Sequence, residues 1–354
     1  MKKHNFSAGP SILPKEVFDG SSNALLEYQE TGLSIIEMSH RSKEVGLIIE
    51  EAKSLVIELL KLNENEYDVL FLQGGASLQF SMVAYNLLHT KAGYLNTGSW
   101  SEKAIKEAKL FGEVIELSSS KSNEYRNIPK DFNIPDDIDY LHMTSNNTIY
   151  GTQYHSVPKT DAPIVVDSSS DIFSRVFDYS FYDLIYAGAQ KNIGPAGVTL
   201  VVVKKDILGK VSREIPSMLN YNVHIDKKSL FNTPPVFAIY ATLLNLRWIK
   251  KQTIEFIDQT NHKKAKMLYD EIDNNSLFNG FADVQDRSIM NVTFDLVDNS
   301  LSSTFDTLIE KSKISGVKGH RSIGGYRASM YNALPIESVQ TLINCMIQLK
   351  DKFK

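Results

Sequence analysis

Cysteine is almost missing from this chain of 354 residues: Cys345 is the only one. One thiol excludes an intrachain disulfide, a thiolate zinc cluster and an iron–sulfur centre built by a single chain, and it suits a reducing, cytoplasmic setting. Long apolar runs are missing too. The most hydrophobic, Val198 to Val203, is six residues long, against the roughly 20 needed to cross a bilayer, so no membrane partner is expected. The opening MKKHNFSAGPSILP has no apolar stretch of about 7–15 residues behind its lysines, and a secretory signal is not expected. Positive charge is not in excess either. With 38 basic and 42 acidic residues the net charge is −4, so nucleic acid finds no general field and any anion site must be local. The sequence contains no GxGxxG, no Walker lysine and no HExxH. Dinucleotide, nucleotide and zinc-protease readings therefore lack their motifs, and no metal is expected.

The chain does contain the makings of a packed soluble protein, with 42% hydrophobic and 23% charged residues. Pro14 is placed to open a helix running to Tyr28, and Ser42 to cap a second whose apolar stripe runs from Val45 to Leu60. From Tyr67 short continuous apolar runs (YDVLFL, AGYLN, EVIEL, DYLHMT, PIVV, DLIYA, VTLVVV) alternate with helical stretches. Runs of this kind suit strands covered on both faces, so the fold class is α/β with a mostly parallel sheet. Helices follow Pro235 and Thr253. The remainder reads as strand IMNVTFDL, helix 301–313, strand segments between Val317 and Tyr331, and a last helix after Pro335. This gives a terminal segment 1–14, a large α/β unit over 15–252 and a smaller α+β unit over 253–354.

Chemistry concentrates in LIYAGAQKNIGPAGVTLVVV. Lys191 stands between two strands with Gly188, Ala189 and Gly194 clearing space around it, a setting that desolvates an amine and makes it a nucleophile toward aldehydes. The bland alternative is a surface lysine in a connecting loop. Upstream, strand Ile164–Val166 ends in Asp167, either an Asx-turn former or the carboxylate that keeps a pyridine nitrogen protonated. Gln73-Gly74-Gly75-Ala76-Ser77 lies between a strand and a helix, where N–H groups and the helix dipole can close on a phosphate; alone, it is an ordinary tight turn. Two His-Arg pairs, His40-Arg41 and His320-Arg321, and nearby Arg327 offer donors for a doubly anionic small molecule.

Taken in order, NFSAGPSILP, HRSKE, LFLQGGASLQF, YAGAQKNIGPAG, FNTPPVF and GHRSIGGYRASMYNA resemble the phosphoserine aminotransferase family of fold-type I pyridoxal phosphate enzymes over nearly the whole chain. The resemblance implies pyridoxal 5′-phosphate as cofactor, Lys191 as its Schiff-base lysine, Asp167 under the ring nitrogen, Trp100 stacked on the ring and Thr148 in contact with it. It implies Ala76, Ser77 and Gln190 around the phosphate, with Asn232 and Thr233 donated by the second subunit of a homodimer with shared active sites. Arg327 would take the α-carboxylate, while His40 and Arg41, with His320 and Arg321 of the neighbouring subunit, would take the distal phosphate or carboxylate. Two departures stand out: Ser77 where some members carry arginine, and Ala8 where some carry serine. The implied reaction passes an amino group from L-glutamate to 3-phosphohydroxypyruvate, giving O-phospho-L-serine and 2-oxoglutarate in serine biosynthesis; whether a related phosphorylated keto acid of vitamin B6 synthesis is also used is left open by the sequence. Rivals are an alanine or serine transaminase, a cysteine desulfurase, and a non-catalytic protein keeping the fold.

Overall fold

The computed structural model describes residues 3–353. After a two-residue strand, β1 (His4–Asn5), helix α1 (Lys15–Leu26) begins behind Pro14 and stops two residues before the expected Tyr28; the chain then turns through positive φ at Gln29 and Glu30. Helix α2 (Lys43–Leu60) starts where the Ser42 hydroxyl accepts the N–H of Val45 at 3.3 Å, and it buries Val45, Ile48, Ile49, Ala52, Leu55, Val56 and Leu60 on one face.

The alternating region follows: β2 (Tyr67–Leu72), α3 (Gly75–Leu87), β3 (Lys91–Asn96), α4 (Ser99–Ala108), β4 (Glu113–Ser119), β5 (Leu141–Thr144), a small hairpin of β6 (Asn146–Asn147) and β7 (Thr152–Gln153), β8 (Ile164–Asp167), β9 (Leu184–Gly188) and β10 (Thr199–Lys204). Seven of them form one sheet in the order β2-β10-β9-β8-β5-β3-β4. Pairs from β9 to β4 are parallel, and β10 runs antiparallel to both neighbours, so the sheet is mixed but mostly parallel. Val165, Val166, Ile185 and Leu200 to Val203 have no exposed surface. That is the two-faced burial which continuous apolar runs demand, each large side chain contributing about 1.5–3 kcal/mol.

Past α5 (Tyr221–Asp226), α6 (Val236–Gln252) packs with α2 on one face of the sheet, while α3 and α4 cover the other. Thr253 separates α6 from α7 (Ile254–Asn274). The chain then adds β11 (Phe278–Gly280), β12 (Asn291–Leu296), α8 (Ser302–Lys311), β13 (Ile314–Ser315), β14 (Tyr326–Ser329) and α9 (Ile336–Lys352). Strands β11, β12 and β14 make a three-stranded antiparallel sheet, and Leu268, Val292, Phe305, Leu342 and Cys345 form a second core on it. The strand expected over 317–331 is confined to its last third, because 317–325 closes into a loop with the Gly319 N–H on the Gly325 carbonyl at 2.8 Å. Phe6 is buried in the second core, and β1 pairs in parallel with β13, tying the first residues to the last layer. Among the described residues no helix is long and apolar enough to cross a membrane.

Candidate active site

The carboxyl ends of β5, β8 and β9 meet at one rim, where Thr144, Asp167 and Tyr186 stand in register. Ligands gather at such rims in open α/β sheets. Asp167 ends β8 with 5% of its surface exposed. Its Oδ1 accepts from the Ser169 N–H at 3.0 Å and hydroxyl at 2.6 Å, and the Ser169 oxygen in turn accepts the Gly188 N–H at 3.0 Å. The Asx-turn reading of this aspartate holds, and the turn fixes the direction of its carboxylate. Burial raises its pKa, opposed by the charge of Lys191 and the Ser169 hydrogen bonds.

Lys191 follows β9 by three residues on a turn that α6 approaches closely: a Cβ on Gly194 would lie 2.3 Å from the Thr242 hydroxyl, so only glycine fits there. Its Nζ donates to Thr148 Oγ1 at 2.7 Å and lies 5.5 Å from the centre of the Trp100 ring. Burial brings the ammonium down to about 8; Asp167 pulls the other way, and Arg327 adds a smaller push downward. The N-terminal segment covers this turn, with the Ser11 N–H on the Gln190 carbonyl at 2.9 Å and the Ser11 hydroxyl donating to the Lys191 carbonyl.

Across the pocket stands the start of α3. Gly74 caps it at φ +89°, where a Cβ would come within 2.6 Å of Leu78, and the first turn, Gly75-Ala76-Ser77, carries no acidic residue. Its free N–H groups face a cavity of about 290 Å³ shared by Trp100, Thr148, Asp167, Gln190, Lys191 and Arg327. Three polar atoms around the rim, Trp100 Nε1, Thr144 Oγ1 and Arg327 Nε, are buried with no partner among the described residues. Such atoms mark a place built for a ligand's acceptors.

Nine of the residues singled out from the sequence therefore share one cavity. His320 is the ninth: within the single chain it lines the pocket that holds Lys191, and Arg327, Arg321 and Lys103 all add to the burial that lowers its pKa. It stands there on the 317–325 loop, which β14 carries back to the rim. Arg321 is exposed beside it and outside the lining. His40 and Thr233 line a different cavity, together with Ile36 and Phe237, and Asn232 lies behind the Gln73 turn; Arg41 is exposed. Sequence reading missed Phe80, Ser169 and Lys103, the last with its Nζ 4.4 Å from the Trp100 ring. For Lys103 a signal existed, because position i+3 shares the helix face of Trp100.

The profile of the class-V aminotransferases matches residues 3–342. A phosphoserine aminotransferase of Flavobacterium psychrophilum is 57% identical, across 99% of this chain and 100% of its own. The chain belongs to the class-V aminotransferases, in the phosphoserine aminotransferase family. Solved members of that family superpose closely. The phosphoserine aminotransferase of Bacillus circulans subsp. alkalophilus is 43% identical with a TM-score of 0.96, covering 100% of this chain and 99% of its own. The PLP-bound enzyme of Trichomonas vaginalis is 33% identical with a TM-score of 0.92, covering 98% of this chain and all of its own.

Proposed function

We propose that this aminotransferase moves the amino group of L-glutamate to 3-phosphohydroxypyruvate, giving 2-oxoglutarate and O-phospho-L-serine, as a cytoplasmic homodimer serving serine biosynthesis. The observation that carries it is one pocket with an amine, a carboxylate, an indole and an anion-binding helix start on one side, and Arg327 and His320 on the other. The residues fit pyridoxal 5′-phosphate: Lys191 suits an aldehyde, the α3 start a phosphate and Asp167 a ring nitrogen, while Trp100 Nε1 lacks a partner. When bound, this cofactor supplies an aldehyde that exchanges amines and a ring that withdraws electrons from the substrate Cα.

Lys191 Nζ, steered by Thr148, takes the proton from the Cα of glutamate and returns one to the Cα of the keto acid. Asp167 holds the proton on the ring nitrogen, and its fixation by Ser169 keeps the carboxylate aligned. Trp100, its ring centre 5.5 Å from the Lys191 Nζ, would lie against the cofactor ring and keep water from it. Ser77 provides a hydroxyl in place of a guanidinium, so the first-turn N–H groups of α3 and Gln190 carry the phosphate. Arg327 binds the α-carboxylate, leaving the distal phosphate of one substrate and the distal carboxylate of the other to the His-Arg pairs.

The homodimer supplies the rest. Leu26, Leu33 and Ile36 expose 82, 47 and 65% of their surface near His40, and a second copy covering this apolar face brings His40, Arg41, Asn232 and Thr233 to its neighbour's pocket. His320 and Arg321 then serve their own chain. A cysteine desulfurase is disfavoured because Cys345 is buried in the second core, 3.2 Å from the Ser312 hydroxyl. The test is the half-reaction followed by bleaching of the visible band with glutamate, phosphoserine or alanine. Phosphoserine is expected to exceed alanine in kcat/KM by roughly 30-fold or more, the worth of about 2 kcal/mol for a desolvated charge pair. Equal efficiencies would overturn the phosphorylated substrate.

A further inference from the structure

Helix α7 buries two polar side chains on a face that is otherwise apolar: Asn261 and Lys264 share it with Ile257, Ala265, Leu268 and Ile272. Lys264 has no exposed surface. Its Nζ donates to the carbonyls of Tyr331 at 2.9 Å, Met330 at 3.1 Å and Leu334 at 3.3 Å, and no carboxylate pairs with it among the described residues. Desolvation pushes the amine down to about 7, while three carbonyl dipoles converging on one nitrogen favour the ammonium, the form with three N–H groups to give. Stability accounts for part of this, since an apolar side chain here would leave buried carbonyls without a donor. What the ammonium adds is direction: it fixes three peptide planes of one turn.

That turn, 330–334, leans on the active site at two points. The Tyr331 hydroxyl donates to the Ala8 carbonyl at 2.7 Å and also meets Thr148, the partner of Lys191. The Asn332 N–H donates to Asn192 Oδ1 at 3.0 Å, one residue from Lys191, and its side chain is gripped by Asn261 at 2.9 Å and reaches the Phe173 carbonyl at 2.9 Å. We propose that Lys264 is a positioning residue for transamination, pinning the 330–334 turn so that Tyr331 and Asn332 set where Lys191 and the N-terminal segment stand over the pocket. The inference rests on the aminotransferase reading given above. A displacement of about 1 Å at a reacting group is enough to cost on the order of 10²-fold in rate.

The experiment compares loaded wild-type enzyme with Lys264→Met, Lys264→Gln, Tyr331→Phe and the double variant Lys264→Met/Tyr331→Phe. Lys264→Met is expected to lower kcat by about 10- to 100-fold with the KM for glutamate within about twofold, and to lower the melting temperature because buried carbonyls lose their donor. Lys264→Gln, which keeps a donor for the turn, falls between and serves if the methionine variant does not fold. The double variant is expected to be no slower than the slower single, as for residues acting through one another. Backbone exchange at the Asn332 amide, which reads its bond to Asn192 without any substrate, should quicken in both Lys264 variants. Unchanged Asn332 exchange, or losses in kcat that multiply, overturns the positioning role. Because exchange is independent of the reaction, the two failures are distinguishable: a wild-type enzyme that fails to transaminate overturns the proposed function, and unchanged Asn332 exchange in an active enzyme overturns the positioning role alone.

Discussion

Two groups of candidate site residues stand in different condition within one chain. At the strand-end rim, Lys191, Asp167, Trp100, Arg327 and His320 share a cavity whose walls are strand ends and helix starts buried in the core. On the face formed by the Ile35–His40 loop and the start of α6, His40 and Thr233 line another cavity among exposed apolar side chains, with Arg41 and Asn232 alongside. The first group is complete enough for cofactor chemistry. The second has cations and no cofactor groove of its own. The difference separates the residues that the fold of one chain brings together from those that it leaves apart.

The largest effect expected tests the first group. Lys191→Ala should fold, because a rim lysine adds little to the core, yet lose the visible band and at least about 10³-fold in turnover; a retained band with substantial turnover would hand its role to another lysine. Next comes the second group's apolar surround. Ile36→Asp is expected to weaken self-association by about 10- to 100-fold in Kd, as for a hot-spot loss of about 1.4–2.8 kcal/mol, and to reduce activity in step with the dimer fraction. An active monomer in sedimentation would remove the shared site.

Mixing sharpens the comparison further. Lys191→Ala and Arg41→Leu chains, each nearly inactive on phosphoserine, are refolded together in equal amounts. If Arg41 serves the neighbouring pocket, half the dimers are mixed and each has one restored site, so activity returns to about a quarter of wild type. The same mixture with Arg327→Leu should return nothing, since Arg327 and Lys191 line one pocket. Recovery in both mixtures, or in neither, would erase the distinction. The smallest effect concerns protons: a Lys191 amine near 8 has about one neutral molecule in ten at pH 7, against about three in ten thousand for an ordinary lysine. Uptake of pyridoxal phosphate by the cofactor-free protein should therefore accelerate with pH and level off above about 8. Asp167→Asn removes the charge that favours the ammonium, so its midpoint should fall. A flat profile between pH 7 and 9 would contradict the desolvated amine.

The sheet was legible because its strands, edge strand β4 excepted, are short apolar runs buried on both faces, and α2 because its stripe and Ser42 cap agree. Strands of two residues, such as β1, β6 and β13, carry no periodicity to read. Lys191, Asp167 and the Gly74-Gly75 turn were legible as chemistry, since each sits where a strand ends. The place of His320 in the lining of this pocket was not, because that depends on how a loop of nine residues folds back to the rim. Lys264 hides among Lys263 and Lys266, yet its i+3 spacing from Asn261 and i+7 from Ile257 places it on the buried stripe, and that signal could have been used.

The pairing of β1 with β13 sets an order of events during synthesis. His4 is made first among the strand residues, and its partner Ile314 follows 310 residues later. At about 5–20 residues per second that is roughly 15–60 seconds, during which domains of the nascent chain fold as units. All seven strands of the large sheet are complete by Lys204, so the Lys191 rim can form while Ala8 and Ser11 still have nothing to anchor the strand ahead of them. The half-made enzyme thus has a pocket with its door off, and the door is hung only when the last layer arrives.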